Sequence, residues 1–166
     1  ELAEAYPVVR ATYEEAGEAL GRDLWRLSRE GSDEELAQTA NTQPLMLTAG
    51  IAAWRVWQDR GGAAPAWFAG HSLGEYTALV ASGALAFPDG VRLVAERARF
   101  MQEAVAEDAG AMAAVLGLDD DAVRAACAGA AGDGVVEAVN FNSPGQVVIA
   151  GDRAAVERAI AAAKEQ

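Results

Sequence analysis

The stretch Ala66-Trp67-Phe68-Ala69-Gly70-His71-Ser72-Leu73-Gly74, followed by Glu75 to Ser82 and closed by Gly83, decides the fold. The apolar run Ala66 to Ala69 reads as a short buried strand. Gly70 to Gly74 is a sharp turn of the form G-x-S-x-G, and a helix follows to Ser82 with Gly83 as its stop. Strand, tight turn and helix together are the setting in which this pattern carries chemistry. The turn is so tight that its serine takes a strained backbone and projects its hydroxyl, while the glycines leave room for neighbouring elements. Leu73 opens the helix. Its N–H points back at the serine and can donate to a developing oxyanion, helped by the helix dipole. Ser72 is therefore the candidate nucleophile and Leu73 the candidate oxyanion donor.

A nucleophilic serine needs a base. The chain has one histidine, His71. Consecutive side chains at an elbow diverge, so His71 is badly placed to take the Ser72 proton; a supporting or pocket-wall role suits it better. The base is expected outside this chain. Both ends also read as cut, because the sequence starts at Glu1 without Met and stops at Lys164-Glu165-Gln166 without a helix stop.

Upstream of the elbow the pattern is helical. Ala3 to Leu20 reads as one amphipathic helix closed by Gly21. Asp23 caps a short helix stopped by Gly31, and Ser32-Asp33-Glu34-Glu35 has capping-box spacing. Thr42-Gln43-Pro44 opens a long helix to Arg60, with Pro44 in the first turn and Gly61-Gly62 beyond the end. Downstream, Pro88 opens a helix to about Ala106. Composition then shifts. Gly110 to Leu118 reads as a strand, Asp119-Asp120-Asp121 caps a helix to about Ala130, and Val135 to Phe141 is a strand. Asn142-Ser143-Pro144-Gly145 is a turn, Gln146 to Ala150 a strand, and Asp152 caps a last helix. The order β-α-β-β-α is a split βαβ, ferredoxin-like lobe without its final strand.

The helix after Pro88 holds three arginines that are not equivalent. Arg92 and Arg99 share a face with Glu96 and Glu103 and read as i,i+4 surface pairs. Arg97 falls among Leu93, Val94, Phe100, Met101 and Ala104, inside the apolar arc. A guanidinium keeps its charge, so burial there demands an anion. Two readings stand: a structural ion pair with an acidic side chain, or a clamp for the carboxylate of a substrate.

Net charge is −12 with a sequence pI near 4.4, which argues against nucleic acid and anionic membrane partners. No apolar run approaches the roughly 20 residues of a membrane-spanning helix, and no signal peptide opens the chain. The lone Cys127 lies in an Ala-rich stretch and reads as a small buried hydrophobe. Without a disulfide framework, a reducing cytoplasm is the expected location.

Gly70-His71-Ser72-Leu73-Gly74-Glu75-Tyr76, with Arg97 in Ala95-Glu96-Arg97-Ala98-Arg99-Phe100-Met101-Gln102, resembles the malonyl-CoA:acyl-carrier-protein transacylases of fatty acid synthesis. Thr42-Gln43-Pro44 and Val139-Asn140-Phe141-Asn142-Ser143-Pro144-Gly145-Gln146 match that family too. The resemblance implies an α/β protein: an incomplete α/β-hydrolase-like large lobe over 1–109 and a partial ferredoxin-like small lobe over 110–166. It implies Ser72 as the residue that becomes malonyl-serine, Arg97 as the carboxylate clamp and the Leu73 N–H as one oxyanion donor. It places Gln43, Asn140 and Asn142 near the pocket, with His71 among the substrate-binding residues. The implied partners are malonyl-CoA and acyl carrier protein; no metal or bound redox cofactor is implied. The implied family histidine and a Gly-Gln-Gly loop have no counterpart in this chain. Rival readings are a serine hydrolase or thioesterase, an acyltransferase module of a polyketide synthase using another extender, and a non-enzymatic docking domain.

Overall fold

The computed structural model describes residues 2–106 and 109–165. The chain is an α/β protein, mostly helical, with one small antiparallel sheet among the described residues. It divides into two compact units, Glu1–Ala104 and Val105–Gln166, each with its own core.

The first unit contains α1 (Leu2–Ala5), α2 (Pro7–Leu20), α3 (Leu24–Glu30), α4 (Asp33–Ala37), α5 (Thr39–Asp59), α6 (Leu73–Ala81) and α7 (Phe87–Glu103). Helix α5 is the centre, touching α2, α4, α6 and α7. Leu47 and Ile51, one turn apart on α5, pack with Ala16, Leu24, Phe87, Val91 and Val94. Local signals set the connections. Gly21 ends α2 in the left-handed conformation at φ 65°, and the Asp23 carboxylate accepts from the Arg26 N–H at 2.8 Å. At the start of α4, the Glu35 N–H donates to Ser32 Oγ at 3.2 Å while the Ser32 N–H donates to the Glu35 carboxylate at 2.9 Å. That reciprocal pair is the expected capping box.

Several expected boundaries move. The first helix is interrupted at Tyr6, because Pro7 has no N–H and begins a new helix rather than continuing one. Helix α5 starts at Thr39, so Pro44 lies inside it rather than in its first turn. Side chains of the opening turn anchor it to the preceding residues: Asn41 Nδ2 donates to the Glu35 carbonyl at 2.8 Å and the Thr42 hydroxyl to the Gln38 carbonyl at 3.1 Å. Helix α7 ends at Glu103, short of Ala106. Arg99 pairs with Glu103 as expected and also with Glu96, whereas Arg92 turns to Asp89 instead of Glu96.

The largest correction concerns residues 66–69. They form no strand, and Trp67 is 89% exposed. An extended segment becomes a strand only when a neighbour takes its ladder hydrogen bonds. No described residue of the first unit lies in a strand, so the apolar run has no ladder partner among the described residues of that unit. Phe68 instead stands edge-on to Trp54 of α5, with ring centroids 5.5 Å apart.

The second unit runs β1 (Gly110–Leu116), α8 (Asp120–Ala130), β2 (Val136–Ser143), β3 (Gln146–Asp152) and α9 (Arg153–Lys164). Strand β3 lies between β1 and β2 and is antiparallel to both. Inward-facing Val115, Val136, Val147 and Ile149 meet Val123 and Cys127 of α8 and Val156 and Ala159 of α9 in one cluster. Burial pushes the Cys127 thiol above its ordinary pKa, aided by the nearby Glu137 charge, so it stays a protonated hydrophobe. The hairpin turn is shorter than expected. Ser143 already pairs with Gln146, leaving only Pro144-Gly145 between, with Gly145 at φ 74°. Proline then glycine at positive φ suits a type II turn, so Asn142 belongs to β2 and not to the turn. Strand β1 stops at Leu116 and β3 runs on to Asp152. The Asp152 carboxylate does not cap α9; it accepts from the Val135 N–H at 2.8 Å.

Leu47→Ala is expected to destabilise the protein by about 3 kcal/mol, and Ile149→Ala by about 2–4 kcal/mol, because both side chains are fully enclosed. Leu93→Ala, on the open side of α7, should stay within about 0.5 kcal/mol. Urea unfolding of the three variants checks the order.

Candidate active site

Ser72 occupies φ 53° and ψ −114°, and it is the one non-glycine with positive φ among the described residues. Those angles are those of the first central position of a type II′ turn, a place normally held by glycine. The turn is closed by the Gly74 N–H donating to the His71 carbonyl at 2.8 Å. Such a backbone costs about 1–3 kcal/mol and persists only where its surroundings enforce it. Gly70 supplies part of that enforcement. A Cβ there would stand 1.9 Å from the Gly74 carbonyl oxygen, so no other residue fits. Gly74 is different: a Cβ there meets nothing within 4 Å, and the expected steric need for glycine at that position is not seen among the described residues.

The strained turn changes what the serine side chain can do. A serine at a helix N-cap usually accepts from the N–H of the second or third helical residue. Ser72 is the N-cap of α6 and makes no such bond. Its Oγ instead accepts from Arg97 Nη2 at 2.9 Å. The Leu73 N–H has no partner among the described residues, which leaves an uncommitted donor beside Oγ at the positive end of α6.

Arg97 is half-buried on α7. Its Nη1 donates to Gln43 Oε1 at 2.6 Å, and its guanidinium carbon lies 6.0 Å from the centre of the Tyr76 ring. Gln43 is only 6% exposed, and its Nε2 donates to Met101 Sδ at 3.3 Å. All recorded partners of Arg97 are neutral; no carboxylate among the described residues pairs with it. The structural ion pair considered for this arginine is therefore absent among those residues. The arc around it is also less covered than expected. Leu93, Phe100 and Met101 are exposed and line, with Tyr76, Glu96, Arg97 and Ala104, an open cavity of about 410 Å³, in which the Glu96 carboxylate is paired with Arg99 and not with Arg97.

Ser72, Leu73, Gln43 and Arg97 are thus assembled at the meeting of α5, α6 and α7. His71 is exposed, and no hydrogen bond joins it to Ser72. Asn140 and Asn142 lie on β2 of the second unit, the former half-buried and the latter exposed. Sequence reasoning passed over Tyr76 and Met101 as parts of the site. Their signal was helical spacing: Tyr76 is four residues after Ser72, and Met101 four after Arg97. No group of acidic, histidine or cysteine side chains suited to a metal ion occurs among the described residues.

The acyl transferase domain family matches residues 1–166, the full chain. The chain belongs to that family. It is 59% identical to the malonyl CoA-acyl carrier protein transacylase of Escherichia coli (strain K12) over 164 residues, which are 99% of this chain and 53% of that protein. The solved malonyl CoA-acyl carrier protein transacylase of Coxiella burnetii superposes with a TM-score of 0.97 at 47% identity, over 99% of this chain and 52% of that one. A malonyl-transacylase solved in complex with its type II polyketide synthase acyl-carrier protein has a TM-score of 0.96 at 54% identity, over 99% and 53% of the two chains. The chain spans about half the length of the curated relatives it matches.

The two glycines of the elbow should respond differently to substitution. Gly70→Ala is expected to cost about 2–3 kcal/mol or more, because backbone must move to admit the methyl group. Gly74→Ala, in open space within the first turn of α6, should change stability by about 0.5 kcal/mol or less. Thermal unfolding of the two variants distinguishes them; equal losses would overturn the steric account of the turn.

Proposed function

We propose that this chain carries the acyl-accepting serine and the carboxylate clamp of a malonyl-CoA:acyl-carrier-protein transacylase. The observation that carries the reading is the 2.9 Å contact between Arg97 Nη2 and Ser72 Oγ, made by a guanidinium with no acidic partner among the described residues. A permanent cation beside a nucleophile favours an acyl group bearing its own anion. Bond lengths limit that group. With backbone-like bonds of about 1.5 Å, the carboxylate carbon of a malonyl ester lies roughly 3–4 Å from Oγ, within reach of the same guanidinium. A neutral acyl group leaves the charge without a counterion.

The reaction divides into two acyl transfers. Ser72 Oγ attacks the thioester carbonyl of malonyl-CoA, the C–O bond forms, and the coenzyme A thiolate leaves. The Leu73 N–H stabilises the intermediate oxyanion as one donor. The phosphopantetheine thiol of the carrier protein then attacks the malonyl-serine and restores Ser72. Arg97 holds the carboxylate through both steps, Gln43 holds Arg97, and His71 lines the approach. The partner of Ser72 Oγ is a donor and cannot take its proton, so the base that accepts it is assigned to the family histidine outside this chain. Asn140 and Asn142 are assigned to the pocket by family likeness. The likeness also supports reading 1–109 as part of an α/β-hydrolase-like lobe. The placing of β3 between β1 and β2 supports a ferredoxin-like lobe for 110–166. A cytoplasmic enzyme fits this chemistry, and no described helix is long and apolar enough to cross a membrane.

The test uses a protein that carries this chain completed to the length of its relatives. After brief exposure to malonyl-CoA, intact-mass measurement should find one malonyl adduct, absent from Ser72→Ala. Arg97→Ala should lose on the order of 2–4 kcal/mol of transition-state stabilisation with malonyl-CoA, about 30- to 1000-fold in kcat/KM, with acetyl-CoA far less affected. Equal losses for both donors would make Arg97 a structural residue. Release of free malonate in place of malonyl-carrier would establish the hydrolase reading.

A further inference from the structure

We propose that the thioether of Met101 is an oxidation site through which a hydroperoxide weakens carboxylate binding at Arg97. Met46, Met101 and Met112 are all more than half exposed, Met101 at 51%, so exposure does not single one out. Connectivity does. Met101 Sδ accepts the Gln43 Nε2 hydrogen bond at 3.3 Å, and the other end of that same amide accepts from Arg97 at 2.6 Å. Gln43 is 6% exposed, so its amide cannot turn to water. The sulfur therefore supports the orientation that the guanidinium requires: with Nε2 towards Met101, Oε1 faces Arg97. The reversed amide would set an N–H₂ donor against a cation that has only donors.

The sulfur is also reachable. Met101, 51% exposed, is among the residues lining the cavity of about 410 Å³ beside Arg97 and Tyr76. The step balances with one hydroperoxide. A sulfur lone pair attacks the outer peroxide oxygen, the S–O bond forms and the O–O bond breaks. The departing oxygen takes the hydroperoxide proton and leaves as water or an alcohol. The thioether loses two electrons and the hydroperoxide gains them. Sulfoxide formation converts a weak acceptor into a polar, chiral group, and it is reversed by methionine sulfoxide reductases.

Two consequences follow from the geometry. An oxygen added on the Nε2 side does not fit within 3.3 Å, and one added to the other lone pair leaves an electron-poor sulfur that accepts poorly, so either way the Gln43–Met101 hydrogen bond is lost or rearranged. A sulfoxide oxygen is also a strong acceptor on the residue one helical turn from Arg97, where it competes for guanidinium donors that would otherwise hold a carboxylate. The functional part of this inference rests on the reading of Arg97 as a carboxylate clamp; the structural part does not.

The experiment therefore has two arms, run on the protein completed to its relatives' length. In the first, hydrogen peroxide is added to protein labelled with ¹⁵N in Gln and Arg side chains. Peptide mass mapping should show a gain of one oxygen at Met101. The Gln43 side-chain N–H₂ and Arg97 Nη resonances should shift with the same time course and return on treatment with a reductase. An oxidised Met101 with unmoved Gln43 and Arg97 signals overturns the inference whatever the enzyme's substrate. So does a Met101 that peroxide leaves untouched. In the second arm, peroxide should raise KM for malonyl-CoA about tenfold with a smaller change in kcat. Met46→Leu and Met112→Leu should show the same peroxide response. Met101→Leu, whatever its starting activity, should show none. Absence of malonyl loading before peroxide would refute the proposed function and leave the spectroscopic arm to decide this inference. Loading that peroxide does not change, with Met101 oxidised, refutes the inference alone.

Discussion

A permanent positive charge held 2.9 Å from a serine oxygen organises the first unit. Arg97 cannot discharge itself, and its recorded partners are neutral. The surroundings must therefore hold the cation without neutralising it. Gln43 Oε1 and Ser72 Oγ take two of its donors, the Tyr76 ring lies 6.0 Å away, and its own half-exposure gives the rest to water. A well-placed acidic side chain would have satisfied the charge better and would have closed the site to an anionic substrate. Incomplete neutralisation is what the proposed carboxylate clamp requires.

Holding that cation requires three helices in fixed relation. Gln43 comes from α5, Ser72 from the entry to α6 and Arg97 from α7. Helix α5 packs against both others, and its approach to α6 is close: a Cβ on Gly50 would lie 2.8 Å from Thr77 Cγ2. Packing on the far side of α5 fixes it in turn. Arg55 reaches from α5 to Glu15 and Thr12 of α2, at 2.7 and 3.1 Å, and lies over the Phe87 ring of α7. Arg22 bonds Asn41, at the beginning of the same helix. The serine's left-handed backbone is thus sustained by the Gly70–Gly74 contact locally and by helix packing more distantly.

The second unit follows different rules. Its alternating strands and two amphipathic helices form one core, and Asp119 caps α8 as the order of elements requires, while Asp152 serves the Val135 N–H instead of capping α9. Its departures from expectation are adjustments of a few residues at strand ends. Asn142 shows why they matter: a tighter Pro144-Gly145 turn moves it from a loop into β2, at the irregularity in register between Phe141 and Ser143.

Local chemistry was legible in the sequence alone wherever a few neighbouring residues decide the outcome. The caps at Gly21, Asp23 and Ser32, the elbow at Ser72 and the Arg99–Glu103 pair are all of this kind, because each depends on bonds spanning a handful of positions, and the β-α-β-β-α order was legible from local alternation and turn residues. The same locality marked Ser72 and set Arg97 apart from Arg92 and Arg99. What tertiary structure alone decided were matters of partnership. Residues 66–69 have strand composition but no strand, because ladder bonds require a neighbour that composition cannot supply. Gln43 and Arg97 are 54 positions apart, and Ser72 and Arg97 are 25 apart. No periodicity joins such distances; only the packing of α5, α6 and α7 does. The sequence left Arg97 between ion pair and clamp, since which oxygens surround a buried cation depends on which helices meet there. In the folded chain those oxygens belong to an amide and a hydroxyl.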